Sequence, residues 1–252
     1  SDGTVVTIVS AGSTTITVSQ DICGNYSAGS KTGVFTVSGA TPTYTPASPS
    51  ASVTKTYGVD VSFSLTALVA GISNSNGAYT FTSGSGAVSI SGAVATIVAY
   101  TPSAITITAS QDASGNYASG STAITVLVNR GTPTYQSVSQ VTKTYGTDIS
   151  FSLTAVMSGI SNSDGAYTFS SASDAISISG SVATINAYTP SAITITASQD
   201  ASGNYAASST TISLAVATAT PTFQSVAQIS KTYGTDVSFS LASFVAGISD
   251  SS

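Results

Sequence analysis

Apolar and hydroxyl-bearing residues alternate along most of this chain. In the segment DISFSL at Asp148–Leu153, the apolar residues Ile149, Phe151 and Leu153 are separated by serines, so one face of an extended segment is apolar. A period of two residues is the pattern of a β-strand with one buried face. Because no helical apolar period runs for a useful length, the sequence predicts an all-β protein.

The same alternation marks further strands between residues 132 and 219. The segments AYTFS, AISIS, SAITITAS and TTISLAV put these apolar side chains on their inward faces: Tyr167, Phe169, Ile176, Ile178, Ile193, Ile195, Ile212, Leu214 and Val216. VATI at Val182–Ile185 is a further predicted strand whose facing is left open, and PTYQSV begins the series. Turn-forming residues separate the segments: Asp164-Gly165, Thr189-Pro190 and Ser202-Gly203-Asn204.

This series of about seven short strands is repeated along the chain. Lys55, Lys143 and Lys231 lie 88 residues apart, and AYTPSAITITASQDASGNYA occurs unchanged from Ala99 and again from Ala187. A fixed period is the first feature to interpret, because it determines the architecture. Seven alternating strands in fewer than about 100 residues are typical of an immunoglobulin-like sandwich of two sheets. The sequence therefore predicts tandem immunoglobulin-like β-sandwiches in an extended rod.

The repeat also predicts where the domains begin and end. Counting from each Pro-Thr motif, residues 41–131 and 132–219 are complete repeats. Residues 1–40 match the C-terminal part of a repeat, and residues 220–252 match the N-terminal part. Two interpretations stay open: the chain is a window from a longer array, or the tail of one copy is completed by the head of the next. Joined in that way, the two parts lack the equivalent of residues 165–179.

The composition is unusually poor in charge. Charged residues make up 6 % of the chain, against about 25 % in ordinary proteins, while 41 % are hydrophobic. The chain has five basic residues and a net charge of -5. This is too little positive charge to neutralise a nucleic-acid backbone or to bind an anionic membrane. No apolar run is long enough to span a bilayer, so no membrane insertion is predicted for this segment. A hydroxyl-rich surface favours an extracellular location or one on a cell or virion.

Short motifs add a resemblance to a known family. Eight motifs follow one another in a fixed order along the repeats: TPTY, KTYG, SFSL, GAYTF, VATI, ITITASQ, GNYAASS and TISLAV. Their order resembles the bacterial immunoglobulin-like repeats found in tandem in very large surface and secreted proteins of bacteria and of some large viruses of marine hosts. The resemblance covers essentially the whole chain and implies adhesin stalks, fibres and surface appendages. Its motifs mark strands and turns and carry no active site.

The repeated lysine suggests a covalent cross-link or an ion pair. Surface adhesin domains sometimes join a lysine to an asparagine through an isopeptide bond that a buried acid promotes. Each complete repeat has one set of candidates: Lys55, Asn116 and Asp112 in one, and Lys143, Asn204 and Asp200 in the other. The alternative is an ion pair or hydrogen bond from Lys143 to Asp148 or Asp200.

The loop QDASGNY is a weak candidate for calcium. Asp200, Ser202 and Asn204 put side-chain oxygens at alternate positions, and Asp112 and Asn116 are counterparts in the preceding repeat. Calcium takes six or more oxygens, usually with several carboxylates, and one aspartate per loop is too few without a neighbouring domain. The prediction is therefore no cofactor. The alternative is a turn in which aspartate caps backbone amides and the following tyrosine covers the edge of the core.

Catalytic chemistry has little support in this sequence. It has no histidine, one cysteine and no glycine-rich phosphate loop before a helix, so we predict that the protein is not an enzyme. The leading prediction is a non-catalytic structural protein, a fibre or stalk that self-associates or continues as a longer array. The alternative is an adhesin that binds glycans or a partner protein through domain-end loops such as SGISNSDGAY. Tyr100, Tyr188 and the tyrosines of the PTY motifs are candidates to stack on sugars.

Overall fold

The computed structural model describes residues 5–47, 51–226, 228–236 and 238–242. The chain divides into two units. The first contains Ser1–Thr132 and Ser202–Ala206, and the second contains Pro133–Ala201 and Ala207–Ser252. Residues 243–252 of the predicted C-terminal part lie outside the described residues. No helix in the described part of the chain is long and apolar enough to cross a membrane.

The first unit begins with an antiparallel hairpin and continues with a seven-stranded sandwich. The hairpin strands are β1 (Gly12–Gln20) and β2 (Gly29–Val37). The sandwich contains β3 (Ala51–Thr56), β4 (Ser62–Ser64), helix α1 (Leu65–Val69), β5 (Tyr79–Ser83), β6 (Val88–Ser91), β7 (Val94–Ile97), β8 (Ile105–Gln111) and β9 (Gly120–Asn129). One sheet has the order β3-β9-β8-β5 and the other β4-β7-β6.

The second unit repeats this sandwich strand for strand. It contains β10 (Val141–Thr144), β11 (Ser150–Ser152), helix α2 (Leu153–Val156), β12 (Tyr167–Ser170), β13 (Ile176–Ser179), β14 (Val182–Ile185), β15 (Ile193–Gln199) and β16 (Ser208–Ala217). The sheets have the orders β10-β16-β15-β12 and β11-β14-β13. In both sandwiches the first strand runs parallel to the last, and all other neighbours are antiparallel.

This strand order is that of an immunoglobulin-like sandwich, with the chain passing between a four-stranded and a three-stranded sheet. The predicted all-β class and the count of about seven strands are confirmed. The first strand was placed wrongly, however. PTYQSV forms no strand, since Tyr135 makes only an isolated bridge with Ser161, and the series begins at β10. The bridge holds one residue, whereas β10 pairs four residues with β16.

The core lies between the two sheets, on the faces that the alternation predicted. In the second sandwich Ile195, Ile212 and Leu214 are fully buried, and an equivalent cluster fills the first. The strand β14, whose facing the sequence left open, buries Ala183 and Ile185 and leaves Val182 42 % exposed. Each sandwich therefore has an apolar core of its own.

Two residues of DISFSL depart from the predicted strand. Ile149 is 71 % exposed, because β11 begins only at Ser150. Leu153 is fully buried, but as the first residue of α2. The hydroxyl of Ser152 accepts a hydrogen bond from the Ala155 N–H and caps this helix. The cap ends the strand, and the helical turn directs Leu153 into the core.

Candidate functional site

A four-residue hairpin loop occurs three times in the chain with the same backbone conformation. Its copies connect β1 to β2, β8 to β9 and β15 to β16: Cys23–Tyr26, Ser114–Tyr117 and Ser202–Tyr205. The first and fourth residues exchange two backbone hydrogen bonds of 2.9–3.2 Å. The second residue is always a glycine with a φ of +52° to +56°, the arrangement of a type II′ turn. The loop is therefore shaped by its own residues, independently of what it touches.

In the second copy, Asn116 binds two backbone segments of the first unit. Its side-chain Oδ1 accepts a hydrogen bond from the Ala11 N–H at 2.9 Å. Its backbone carbonyl accepts one from the Ala40 N–H at 2.8 Å, and the Ala118 N–H donates to the Ala40 carbonyl at 2.8 Å. We call these bonds the three-bond contact.

The third copy makes the same three-bond contact. Asn204 Oδ1 accepts from the Tyr100 N–H at 2.8 Å. Its carbonyl accepts from the Gly131 N–H at 3.0 Å, and the Ala206 N–H donates to the Gly131 carbonyl at 2.8 Å. Because Ser202–Ala206 belongs to the first unit, both contacts lie inside that unit. The two asparagines are 88 residues apart in the sequence, so the contact follows the repeat.

Aromatic and cationic groups surround the Asn204 contact. The Tyr205 ring meets the Tyr57 ring edge-on, with 5.6 Å between centroids. The Arg130 guanidinium lies 4.4 Å from the centre of the Tyr100 ring, and its Nε donates to the Gly203 carbonyl at 3.2 Å. A cation over an aromatic face is attractive, by about 0.5–1 kcal/mol at an exposed site. These groups add area around the loop and fix its orientation.

A buried glutamine organises the strand end that leads into each loop. Gln111, the last residue of β8, is 2 % exposed. Its Nε2 donates to the carbonyls of Ser75 and Gly77, both at 3.0 Å. Its Oε1 accepts from the Ser73 hydroxyl at 2.7 Å and from the Tyr44 hydroxyl at 3.3 Å. The amide thus ties the preceding loop to the end of the strand.

Gln199 has the same role in the second sandwich. Its Nε2 donates to the carbonyls of Ser163 and Gly165 at 2.8 and 2.9 Å, and its Oε1 accepts from Ser161 at 2.7 Å. Neither glutamine was predicted from the sequence to be a structural centre. The signal for it was a long polar side chain that follows three alternating apolar positions in ITITASQ and returns in each repeat.

The repeated lysine forms an ion pair in each complete repeat. Lys55 Nζ lies 3.3 Å from Asp60 Oδ1, and it stands 5.5 Å from the centre of the Phe63 ring. The other carboxylate oxygen accepts from the Thr56 N–H at 2.8 Å. The backbone N–H of Thr56 and, after it, the Lys55 ammonium lower the pKa of Asp60. These groups hold the turn between β3 and β4 in shape.

The second sandwich contains the same arrangement. Lys143 Nζ lies 3.2 Å from Asp148 Oδ1, one of the two acceptors named in the sequence analysis, and 5.5 Å from the centre of the Phe151 ring. The Thr144 N–H donates to the other carboxylate oxygen at 2.8 Å. It is the main cause of the lowered pKa of Asp148, followed by Lys143.

The residues grouped for an isopeptide bond make separate contacts. In the first unit, no hydrogen bond or ion pair of the described residues joins Lys55 to Asn116 or Asp112. Asn204 and Lys143 bind the Tyr100 N–H and the Asp148 carboxylate respectively.

The calcium candidates are also distributed over separate contacts. Asp112 and Asp200 are exposed, and their backbone N–H groups donate to Ala78 and Ala166 at 2.9 Å. The two asparagines proposed as ligands, Asn116 and Asn204, use Oδ1 in the three-bond contact. Among the residues that the structure describes, no three His, Cys, Asp or Glu side chains are grouped to hold a metal ion.

Comparison with protein-family models and with curated proteins finds no match. Solved structures similar to this chain include human protocadherin-24 EC1-2, at 15 % identity over 70 % of this chain and 97 % of that one, with a TM-score of 0.32. A three-domain immunoglobulin segment of titin has 11 % identity over 83 % and 75 %, with a TM-score of 0.39. An endo-fucoidan hydrolase of glycoside hydrolase family 107 has 15 % identity over 83 % of this chain but 34 % of its own, with a TM-score of 0.28. The strand order of the two sheets identifies the immunoglobulin-like fold.

Proposed function

We propose that this chain is a non-catalytic structural protein, in which tandem immunoglobulin-like domains form a shaft outside a cell or on a cell or virion surface. The observation that carries the proposal is that the second sandwich repeats the strand order of the first and that each sandwich has an apolar core of its own. Domains that each enclose their own core can be added one after another. Length then grows without any new interaction chemistry.

The environments of the repeated polar residues support this function. Inside each sandwich, a buried glutamine, Gln111 or Gln199, binds backbone carbonyls. In the same way, each sandwich contains an ion pair between a lysine and an aspartate. Groups used in this way stabilise strand ends and turns. They are the interactions expected of a domain whose task is to keep its shape.

Small-angle scattering of this chain and of a chain lengthened by one further 88-residue repeat tests the shaft. A shaft lengthens with each repeat by about one domain, or about 33 Å for the ten residues of β9 at roughly 3.3 Å each. We expect the maximum dimension to increase by about that amount. An unchanged maximum dimension would contradict the shaft.

Adhesion through a domain end is the second candidate function. Tyr145 and Tyr188 are 43 % and 47 % exposed, and exposed tyrosines combine an apolar face with a polar hydroxyl. A glycan array probed with the full chain separates the two functions, because a shaft binds no glycan. Binding that is lost in Tyr188→Ala but retained in Val182→Ala would favour the adhesin.

A further inference from the structure

A small open cavity lies at one end of the first sandwich, beside the loop that joins α1 to β5. Its volume is about 250 Å³. The side chains that line it come from α1, from this loop and from the two paired strand ends, and they include Ala70, Asn76, Tyr79 and Gln111. None of the described residues that line it carries a charge. We call this space the loop cavity.

Hydrogen bonds inside the sandwich hold the walls of the loop cavity in place. Gln111 donates to the carbonyls of Ser75 and Gly77, and its Oε1 accepts from the Ser73 hydroxyl at 2.7 Å. The Ser73 hydroxyl accepts from the Ser75 N–H at 3.1 Å, and the Ser75 hydroxyl accepts from the Gly77 N–H at 3.3 Å. A site that is ordered before binding loses less conformational entropy when a ligand enters. These groups therefore shape the cavity.

Two side chains of the loop cavity have polar groups without a partner in the described part of the chain. Asn76 is exposed, and its side-chain amide makes no hydrogen bond to a described residue. The hydroxyl of Tyr79 is buried and has no partner among the described residues. A buried hydroxyl that lacks a partner is unfavourable. These two groups are therefore the ones that a ligand can satisfy.

The exposure of this loop is a property of the repeat. In the first sandwich, Asn76 is exposed and the adjacent Gly77 is buried. At the equivalent positions of the second sandwich, which follows a complete repeat in the sequence, Asp164 is exposed and Gly165 is buried. The loop therefore has the same exposure whether a complete or a partial repeat precedes it.

The unpaired groups fit a neutral ligand that carries several hydroxyls. An asparagine amide offers two N–H donors and one carbonyl acceptor, so Asn76 can bind two neighbouring hydroxyls of a sugar ring. A charged ligand would lose hydration and find no opposite charge among the described lining residues. The volume lies below the range of about 300–1,000 Å³ for sites of drug-sized ligands. One sugar ring is the appropriate size.

We propose that the loop cavity binds one neutral sugar ring of a glycan. Asn76 binds two hydroxyls of the ring, a third hydroxyl pairs with the Tyr79 hydroxyl, and the Ala70 methyl contacts the C–H groups. The open side leaves room for the rest of the glycan. The inference deepens the second candidate function, adhesion, and rests on it, but it places the site in the first sandwich and away from Tyr188.

Saturation-transfer NMR of the full chain tests the ligand class. The probes are the methyl glycosides of glucose, galactose and mannose, each compared with the uronic acid of the same ring. We expect at least one neutral glycoside at millimolar concentration to receive saturation from the protein, and its uronic acid to receive several-fold less. Stronger transfer to the uronic acids, or transfer to none of the neutral glycosides, would contradict the proposal.

A matched pair of phenylalanine substitutions locates the bound sugar. Ala70 lines the cavity, so Ala70→Phe should fill it and reduce the transfer several-fold. Ala67→Phe adds the same side chain at an exposed position of α1 that does not line the cavity, and it should leave the transfer unchanged. Equal transfer in the two variants would place the sugar elsewhere and overturn the proposal.

Two further variants test the polar groups. Asn76→Ala removes the amide and should weaken binding several-fold, whereas Thr82→Ala, at an exposed position of β5, should not. Tyr79→Phe removes only the hydroxyl and should also weaken binding. Because that hydroxyl has no partner among the described residues, Tyr79→Phe should not lower the melting temperature, so unfolding would not explain weaker binding. Unchanged binding in Asn76→Ala would reject the amide as the sugar ligand and with it the proposal.

Failure of the site is distinguishable from failure of adhesion. If the full chain binds a glycan array, and Tyr188→Ala abolishes this binding while Asn76→Ala and Ala70→Phe leave it intact, adhesion stands and the loop cavity is rejected. If neither the array nor NMR shows binding, both fail. Array binding that is lost in Asn76→Ala and Ala70→Phe but retained in Ala67→Phe supports both.

Discussion

Gln199 shows how much one buried side chain can organise in a domain with few charges. Its amide donates to two backbone carbonyls and accepts hydrogen bonds from the hydroxyls of Ser161 and Tyr135, while only 2 % of the residue is exposed. A buried carbonyl left without a donor costs about 1–3 kcal/mol. Gln111 and Gln199 therefore each hold together backbone segments of their own sandwich.

Replacement of this glutamine tests that role. Gln199→Met keeps a similar volume but leaves the Ser163 and Gly165 carbonyls without their donor, so we expect a loss of about 2–4 kcal/mol in the free energy of unfolding. Urea denaturation of the full chain measures the loss. Gln140→Met is the matched control, because Gln140 is exposed, and its loss should stay below about 0.5 kcal/mol. Equal losses in the two variants would show that the buried network contributes nothing.

Asp148 gives the domain a defined acid sensitivity. Its pKa is lowered in the folded protein, so its contribution to stability is present above the ordinary value of 3.8 and is lost as the pH falls through the lowered folded pKa. We expect the urea midpoint to fall between about pH 5 and pH 2, and to fall less in Asp148→Ala. Because the Thr144 N–H is the first cause of the shift, Lys143→Met should keep most of the pH dependence. A dependence lost equally in both variants would assign the shift to the ion pair.

At the scale of the element, Gly77 allows two backbone segments to approach each other before β5. A Cβ at this position would overlap the carbonyl oxygen of Asp112, just beyond the end of β8. The close approach lets Gln111 reach the Gly77 carbonyl. Gly165 and Asp200 repeat the arrangement in the second sandwich.

A single methyl group should disrupt this approach. Gly77→Ala forces β5 away from the end of β8, and we expect a loss of at least about 2 kcal/mol in the free energy of unfolding. Gly84→Ala is the control, because nothing lies within 4 Å of a Cβ there and the glycine has no left-handed φ. Thermal melting followed by circular dichroism compares the two. Equal melting temperatures would refute the close approach.

For the whole molecule, the two separate cores predict separate responses to mutation. Leu65 and Leu153 are fully buried, each in a different core cluster. Truncation of a buried leucine to alanine typically costs about 2–5 kcal/mol. We expect Leu153→Ala to lower the stability of the second sandwich and to leave the first core protected.

Hydrogen exchange with mass spectrometry resolves the two cores in one experiment. Peptides from β15 and β16 should lose protection in Leu153→Ala, and peptides from β8 and β9 should lose it in Leu65→Ala. Val182→Ala, at a residue 42 % exposed, should change neither. Loss of protection in both cores from either leucine variant would show that the sandwiches unfold as one cooperative unit.

The alternating pattern was enough to predict the fold class, the number of strands and most of the buried faces. Ile193, Ile195, Ile212 and Leu214 all lie inward as predicted. The prediction that Ile149 faces the core was wrong, because the pattern does not show where a strand begins. Leu153 was placed correctly in the core but in the wrong element, because a serine cap overrides the alternation at the end of β11.

The candidate site was accessible to sequence reasoning only in its local part. The Gly-Asn pair in each hairpin loop is a turn signal that neighbouring residues decide. The partners of the loop are a different matter: Asn116 binds Ala11, 105 residues away, and Asn204 binds Tyr100, 104 residues away. The alternating pattern predicts whether a residue is exposed or buried, and the turn motifs predict how neighbouring residues along the chain are arranged. The choice of a distant backbone N–H as partner depends on how folded segments meet, and only the assembled structure brings those groups together.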